Sequence, residues 1–425
     1  MTLTATIGHI TTDIRNITLE RMLIFLLGLS IFLSSSGIYI ISALLTLYFL
    51  ARLTSDREYR LFFATNKTAI FSLALYFLGL AVTIAYPGHL ADISWYARKA
   101  AGLLIFPPLL YAFQSARTRR WGMGSLFIGF WLALLYTLQQ AGWQWDGGRV
   151  AGPWLIDIWS VLLALFAALM VPLVFQQGLG KWRYLYIITA VAATLLLLMS
   201  GGRGPWLGFS LAVVLYLLCQ QRRWLLYLLL LLALLAIPLH FWKSPPPFDW
   251  TIKRAESITD LDSKGNWIRL TLWQLSWCYN LDSARHRPWQ FLVGGGPLHH
   301  ESLLTTFHLE SDCLSAATKK RLQPHPTNDT HNMYLDSLAK MGALWTPLIM
   351  LFIAAFICWR PLVDKREPAS PGRWSARNVA VVFLVTGVFY SIMLHWTTFM
   401  LFFFLALGTG AAEGGNDKPT TEPTA

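Results

Sequence analysis

The chain has 425 residues, of which 55% are hydrophobic and 13% charged; 34 lysines and arginines stand against 22 acidic residues, for a formal net charge of +12. About a quarter of an average soluble domain is charged, so this chain cannot cover a water-facing surface of its size, and disordered, collagen-like and disulfide-scaffold classes are excluded. The 20 tryptophans fit a chain with two membrane–water boundaries, where an indole keeps its ring in lipid and its N–H in water. Composition therefore predicts an all-α polytopic membrane protein.

A bilayer core of ~30 Å takes about 20 helical residues. Stretches free of Asp, Glu, Lys and Arg run over residues 22–51, 68–91, 100–116, 121–145 and 158–179. They continue over 184–202, 204–221, 224–242, 341–359 and 378–412. The first and last are too long for one crossing. Ser34-Ser35-Ser36-Gly37 supplies a turn signal in the first, and His395-Trp396-Thr397-Thr398 interrupts the last. Splitting both predicts twelve spans with both termini in the cytoplasm. The loops then inside carry 16 basic residues, while the short outer loops carry Arg98, Lys99, Arg149 and Arg203. That is the positive-inside bias, with Arg98 and Lys99 running against it.

The first apolar run is too long for a cleavable signal and lacks a small-residue cleavage site, so it is expected to stay as an anchor. Residues 1–242 hold spans one to nine, 243–330 form a large outer domain, 331–412 hold spans ten to twelve, and 413–425 read as a disordered cytoplasmic tail. No internal repeat is visible, which weighs against a transporter made of two related halves. The outer piece of 88 residues is longer than a mere connector, and it carries several histidines and 9 of the 22 acidic residues. Cys278 and Cys313 both fall in it. An oxidising compartment would let them bridge, the alternative being two separate thiols.

Three outer positions carry candidate chemistry. Ser200-Gly201-Gly202-Arg203-Gly204-Pro205 links spans seven and eight. Its glycines permit close approach of a ligand, and Arg203 stands at the mouth of the helix pair; the plainer reading is an interfacial anchor. In the outer domain, Arg269, Trp273 and Trp277 recur at helical spacing. A guanidinium beside indoles suits a phosphate joined to a sugar, against the alternative of an amphipathic helix lying on the bilayer. The third is Asn328-Asp329-Thr330-His331-Asn332-Met333-Tyr334-Leu335-Asp336, where the domain re-enters the membrane. A histidine titrates near neutrality and can move a proton there, with Asp329 and Asp336 as carboxylates that could orient it; a structural helix-start residue is the rival reading.

Other signals point away from particular chemistries. The remaining outer histidines, His286, His299, His300, His308 and His325, match no zinc spacing. Asp157 lies about one turn inside span six, close enough to the boundary to reach water. No phosphate-binding loop of a nucleotide-driven pump and no nucleophile elbow is present. Gly294-Gly295-Gly296 reads as a tight turn.

In order and sidedness, the SGGRG link, Arg269 with Trp273, the Leu292-Val293-Gly294-Gly295-Gly296 turn and the His331-Asn332-Met333-Tyr334-Leu335-Asp336 segment together resemble the O-antigen ligase family, which includes O-antigen polymerases and related protein-glycosylating enzymes. The resemblance implies a GT-C-like fold in the inner membrane with a periplasmic active site. It also implies metal-independent, inverting glycosyl transfer without a cofactor, in lipopolysaccharide biosynthesis. The donor would be O-antigen polysaccharide on undecaprenyl diphosphate and the acceptor the lipid A–core oligosaccharide, among membrane lipids and with no nucleic acid. Arg203 and Arg269 would bind the donor diphosphate and His331 would act as base. Asp329, Asn332, Tyr334, Asp336, Trp273 and Trp277 would be orienting or substrate contacts. A polymerase acting on polyprenyl-linked glycan is the alternative within the family, and a lipid-linked glycan flippase the alternative outside it. A flippase would need charges lining a mid-membrane path, whereas the spans here are charge-free.

Overall fold

A computed structural model describes residues 18–86, 90–143, 145, 148–176, 178–241, 246–260, 263–322, 330–358 and 370–413. Among them lie nineteen helices and no strand. In the first half these are α1 (Leu19–Leu33), α2 (Ser35–Ser55), α3 (Arg57–Thr65), α4 (Lys67–Ala85), α5 (Leu90–Lys99), α6 (Ala101–Ala112), α7 (Ala116–Gln140) and α8 (Ile156–Val174). Then follow α9 (Trp182–Ser200), α10 (Arg203–Gln220), α11 (Arg222–Phe241), α12 (Pro246–Glu256), α13 (Lys264–His286) and α14 (Pro288–Val293). The last are α15 (His300–Glu310), α16 (Ala316–Leu322), α17 (Met333–Cys358), α18 (Pro371–Gly387) and α19 (Trp396–Glu413). Asp329 falls outside the described residues, as do His325, Asn328 and the tail from residue 414.

Six helices, α2, α4, α7, α8, α9 and α17, are long and apolar enough to cross a membrane. The other six apolar runs coincide with α1, α6, α10, α11, α18 and α19. At the centre stands α8, whose residues from Ile158 to Met170 are buried on every side. A helix apolar all round is what a bundle core requires, since no face has to meet water. Around it pack α9, α10, α18 and α19.

Two expected breaks shift. The turn expected over Ser34–Gly37 shrinks to Ser34 alone, because its hydroxyl accepts the Gly37 N–H at 3.1 Å and lets α2 start at once. The break in the last run covers residues 388–395, upstream of most of the expected His395–Thr398 interruption, since Trp396 already opens α19. Thr397 donates to the Ile392 carbonyl, and the Thr398 hydroxyl accepts the His395 N–H, so both threonines close the turn from within the helix.

The expected outer domain has a small core of Leu272, Leu275, Tyr279, Leu304, Leu314, Leu322 and Ala339. A Cys278–Cys313 disulfide ties α13 to the segment ahead of α16. Ala339 belongs to α17, and this exposes how domain and bundle are joined. α17 is bent at Gly342, whose φ of +73° interrupts the helix where the tenth span was expected to begin. The backbone N–H groups of Gly295 and Gly296 bond the carbonyls of Ala339 and Lys340 at 2.7 and 3.2 Å. The triple glycine is thus a backbone dock for a kinked helix. A Cβ on Gly294 would stand 2.3 Å from the Lys340 oxygen, and one on Gly342 2.2 Å from the Leu292 oxygen. A second tie is the buried Asp92 carboxylate of α5, which accepts the Leu298 N–H at 2.6 Å.

These contacts give two predictions. Gly342→Ala combines a forbidden approach with positive φ, and is expected to lower stability by about 3 kcal/mol or more, read as a large fall in unfolding temperature by intrinsic fluorescence in detergent; Gly124→Ala, at a position facing open space, should leave it unchanged. The second concerns His300, which is fully buried between α13 and α15 and held neutral by burial, its pKa pushed down to about 3 with Lys340 adding to the shift. The unfolded chain takes up that proton near the ordinary value of 6.5. Stability should therefore fall as pH drops from about 6.5 towards 3, by up to about 1.4 kcal/mol per pH unit. His300→Phe should flatten that acid limb of the unfolding curve.

Candidate functional site

The link between α9 and α10 places a guanidinium at the first position of α10. Gly201 ends α9 in the left-handed conformation (φ +67°), and Gly202 turns the chain so that α10 begins at Arg203. A Cβ at Gly201 would strike the Trp250 ring at 2.6 Å. Arg149 Nε donates to the Ser200 carbonyl at 3.0 Å and Arg254 Nε to the Gly201 carbonyl at 3.1 Å. Two cations thus cap the C-terminus of α9, where the helix dipole favours positive charge.

Arg203 itself is buried, 8% exposed. Its Nη1 donates to the Ser257 carbonyl and hydroxyl, and its Nη2 to the Asn266 side-chain oxygen at 2.8 Å. Arg203 therefore fastens the bundle to the outer domain as well as presenting charge. Asn266 opens the first turns of α13, and one turn further on Arg269 lies over the Tyr390 ring at 5.4 Å. Arg149, Arg203, Arg254 and Arg269 are near enough for their charges to act on one another. Asp157 is the carboxylate of the group, bonded to Arg149 at 3.0 Å. Burial first, then Arg149 and Arg269, push Arg254 below the usual arginine range. Among the described residues this sets four guanidiniums, three of them fixed on backbone carbonyls, beside the Asp157 carboxylate. Such an arrangement can hold a multiply charged anion.

His331 adjoins this group through α13. Trp273, one turn beyond Arg269, donates its indole N–H to the His331 carbonyl at 3.4 Å, and its ring stacks near Phe389 at 6.3 Å. His331 takes φ +50°, an uncommon left-handed conformation that histidine enters more readily than most side chains. Among the residues expected to orient it, Asn332 caps α17 instead, its side-chain oxygen accepting the N–H groups of Tyr334 and Leu335 at 3.0 and 3.1 Å. Tyr334 donates to the Leu384 carbonyl at 2.8 Å and clips α17 to α18. Asp336 is buried and accepts from Lys340 at 2.8 Å, one turn along its own helix. Trp277 is 54% exposed and stands apart from the group that holds Trp273. The 269–273–277 stripe thus divides, because the early turns of α13 meet the bundle and the later ones run out along the outer domain.

Arg149, Arg254 and Tyr390 complete the group without a local motif to mark them. Arg149 carries a faint signal, being one of the few basic residues in a short outer loop. Among the described residues no three His, Cys, Asp or Glu side chains gather as a metal site requires. A cavity of about 580 Å³ lies elsewhere, between α7, α8, α9, α18 and α19, lined by Arg119, Arg120 and apolar side chains. There Arg119 is spent on the carbonyls of Phe113, Gln114 and Gly410.

Residues 188–346 match the family model described as O-antigen ligase. The matched segment runs from α9 to just past the kink of α17, so it holds the α9–α10 link, the outer domain, the glycine dock and His331. Arg149, Tyr390, the helices α1 to α8 and the last two helices lie outside it. No curated protein matches the sequence.

The cationic group makes a direct prediction. Inorganic pyrophosphate should bind the purified protein, Arg254→Gln should weaken that binding about tenfold, as loss of one charge-assisted hydrogen bond implies, and added salt should weaken it further. Isothermal titration calorimetry in detergent reads all three.

Proposed function

We propose that this protein is an outer-face glycosyltransferase of the O-antigen ligase type, moving a polysaccharide from undecaprenyl diphosphate to the lipid A–core oligosaccharide. In this reading the chain crosses the bacterial inner membrane twelve times with both termini in the cytoplasm, and residues 243–330 stand in the periplasm. The observation that carries it is the cluster of four arginines at the α9–α10 link, tied through Trp273 to His331, with Arg203, Arg254, Arg269 and His331 inside the matched segment.

The chemistry follows from the groups present. The acceptor hydroxyl attacks the anomeric carbon of the donor, a new carbon–oxygen bond forms, and the bond from that carbon to the diphosphate oxygen breaks, its electron pair leaving with the diphosphate. Attack opposite the leaving group inverts the anomeric centre. His331 takes the hydroxyl proton, and Arg203 and Arg269 stabilise the charge that gathers on the leaving group, helped by Arg254 and Arg149. Guanidiniums fixed in place before the reaction act as a divalent ion does in other transferases, at no reorganisation cost. The polyprenyl tail would lie against the lipid-facing helices beside α10, with its diphosphate at the boundary.

The test mixes purified protein in nanodiscs, with EDTA present, with polyprenyl-diphosphate-linked glycan and lipid A–core, and follows both lipids on a gel. Wild type should move glycan onto lipid A–core. His331→Ala should lower the rate by about 10²–10⁴, and Arg269→Lys should also lower it sharply, because an ammonium cannot replace a two-pronged donor. Lengthening of the polyprenyl-linked glycan instead would make the protein a polymerase, and no transfer of either kind would overturn the reading.

A further inference from the structure

A second cationic group lies at the same end of the bundle, on different helices. Lys99 closes α5, the helix whose Asp92 holds the outer domain. Its ammonium sits 4.1 Å from the centre of the Trp396 ring and 5.6 Å from that of Tyr39. Those two rings are 6.4 Å apart, and Trp154 backs Trp396 at 5.6 Å. Tyr39 stands one turn into α2 and Trp396 opens α19, so three helix ends meet here.

The group is short of acceptors. Among the described residues no carboxylate pairs with Lys99, and Arg98 is the charged neighbour that acts on it. The Tyr39 hydroxyl and the Trp396 indole N–H are both buried and make no hydrogen bond among the described residues. A buried donor left without a partner costs about 1–3 kcal/mol, and ring faces offset only part of an ammonium's lost hydration, about 0.5–2 kcal/mol. An anchor that merely snorkels would send its ammonium to water; this one is half-buried over an indole. Arg98 and Lys99 are also the pair that runs against the positive-inside bias, so function gives a reason for basic residues at this end.

We propose that Lys99, Tyr39 and Trp396 form a second binding site, for an anionic oxygen group, phosphate or carboxylate, carried by a lipid in the outer half of the bilayer. The group brings together donors of three kinds, an ammonium over two rings and two buried N–H and O–H groups that find no acceptor among the described residues. Lys99 supplies charge, the Tyr39 hydroxyl and the Trp396 indole supply direction, and the rings accept the apolar neighbourhood of a headgroup. The Lys99 site and the arginine cluster are joined by the segment 388–395, which carries Tyr390 at one end and leads into Trp396 at the other. The source is an ordinary anionic phospholipid or, if the transfer reading holds, the glycolipid acceptor.

The test is binding, not catalysis, so it stands apart from the transfer assay. Native mass spectrometry of the detergent-purified protein is titrated with phosphatidylglycerol and, separately, with diphosphorylated lipid A, using wild type, Lys99→Gln, Lys99→Arg and Tyr39→Phe, with Arg223→Gln as a distant control. Lys99→Gln should weaken binding about tenfold, Tyr39→Phe severalfold, and Lys99→Arg should retain most of it, all with wild-type unfolding temperatures. Loss for phosphatidylglycerol places a phospholipid headgroup there, and loss for lipid A alone makes it the acceptor's anchor. Unchanged binding of both lipids to folded Lys99→Gln, or equal loss in Arg223→Gln, would overturn the proposal. Should Lys99→Gln fail to fold, Tyr39→Phe and Lys99→Arg decide: binding equal to wild type by the first, or a tenfold loss by the second, would overturn it.

Discussion

Four guanidiniums gathered at the α9–α10 link, with Asp157 the carboxylate bonded to them among the described residues, are the constraint on which the rest of this structure depends. Arg149, Arg203, Arg254 and Arg269 share a neighbourhood with the Asp157 carboxylate. In water such a group would splay apart and be screened, but here burial and like charge both work against it. What holds it is backbone. The end of α9 offers the carbonyls of Ser200 and Gly201 to two of the arginines, and the outer domain offers Ser257 and Asn266 to a third. The folded protein thereby keeps a site that an anion with several oxygens would complete, and folding carries the electrostatic cost before any ligand arrives.

The same economy governs the outer domain's attachment. A domain tethered only by its two chain ends could not keep Arg254 and Arg269 at the mouth of α10. The glycine dock against the bend of α17 fixes it by backbone hydrogen bonds, and Asp92 fixes it from the α5 side. Bending α17 at Gly342 frees carbonyls that a straight helix would use internally, and the three consecutive glycines bring N–H groups close enough to take them up. The piece of α17 ahead of the bend is bonded to the glycine dock and, through Tyr334, to α18, and His331 just before it is held beside Trp273.

The helical class and the apolar runs were legible in the sequence because a charge-free stretch of bilayer length can bury its backbone polar groups in lipid only as a helix. Every such run falls on a helix, while the details of the two breaks depended on single hydroxyls, Ser34 and Thr397, whose partners are set by local geometry. The SGGRG link stood out because glycines around an arginine are rare in a span. Arg254 and Tyr390 could not be read that way: one sits in an ordinary basic pair and the other in an apolar stretch, and only the three-dimensional fold brings them to Arg203 and Arg269. The helical spacing of Arg269, Trp273 and Trp277 put three residues on one stripe, yet α13 divides that stripe between bundle and solvent. Periodicity tells which residues share a face, not how far along the face the neighbour extends. The Gly294–Gly296 turn was visible as a turn, but its partner, the kink at Gly342, was not, since a lone glycine in an apolar run carries no sign of the bend it allows.

The most direct measurement is a cryo-electron microscopy structure of the protein in nanodiscs with a polyprenyl diphosphate bound. The diphosphate should lie between Arg203, Arg254 and Arg269, within reach of His331, with the polyprenyl chain along the lipid-facing side of α10. Density for the diphosphate at the opposite end of the bundle, or in a mid-membrane channel away from those arginines, would contradict the proposed transfer site.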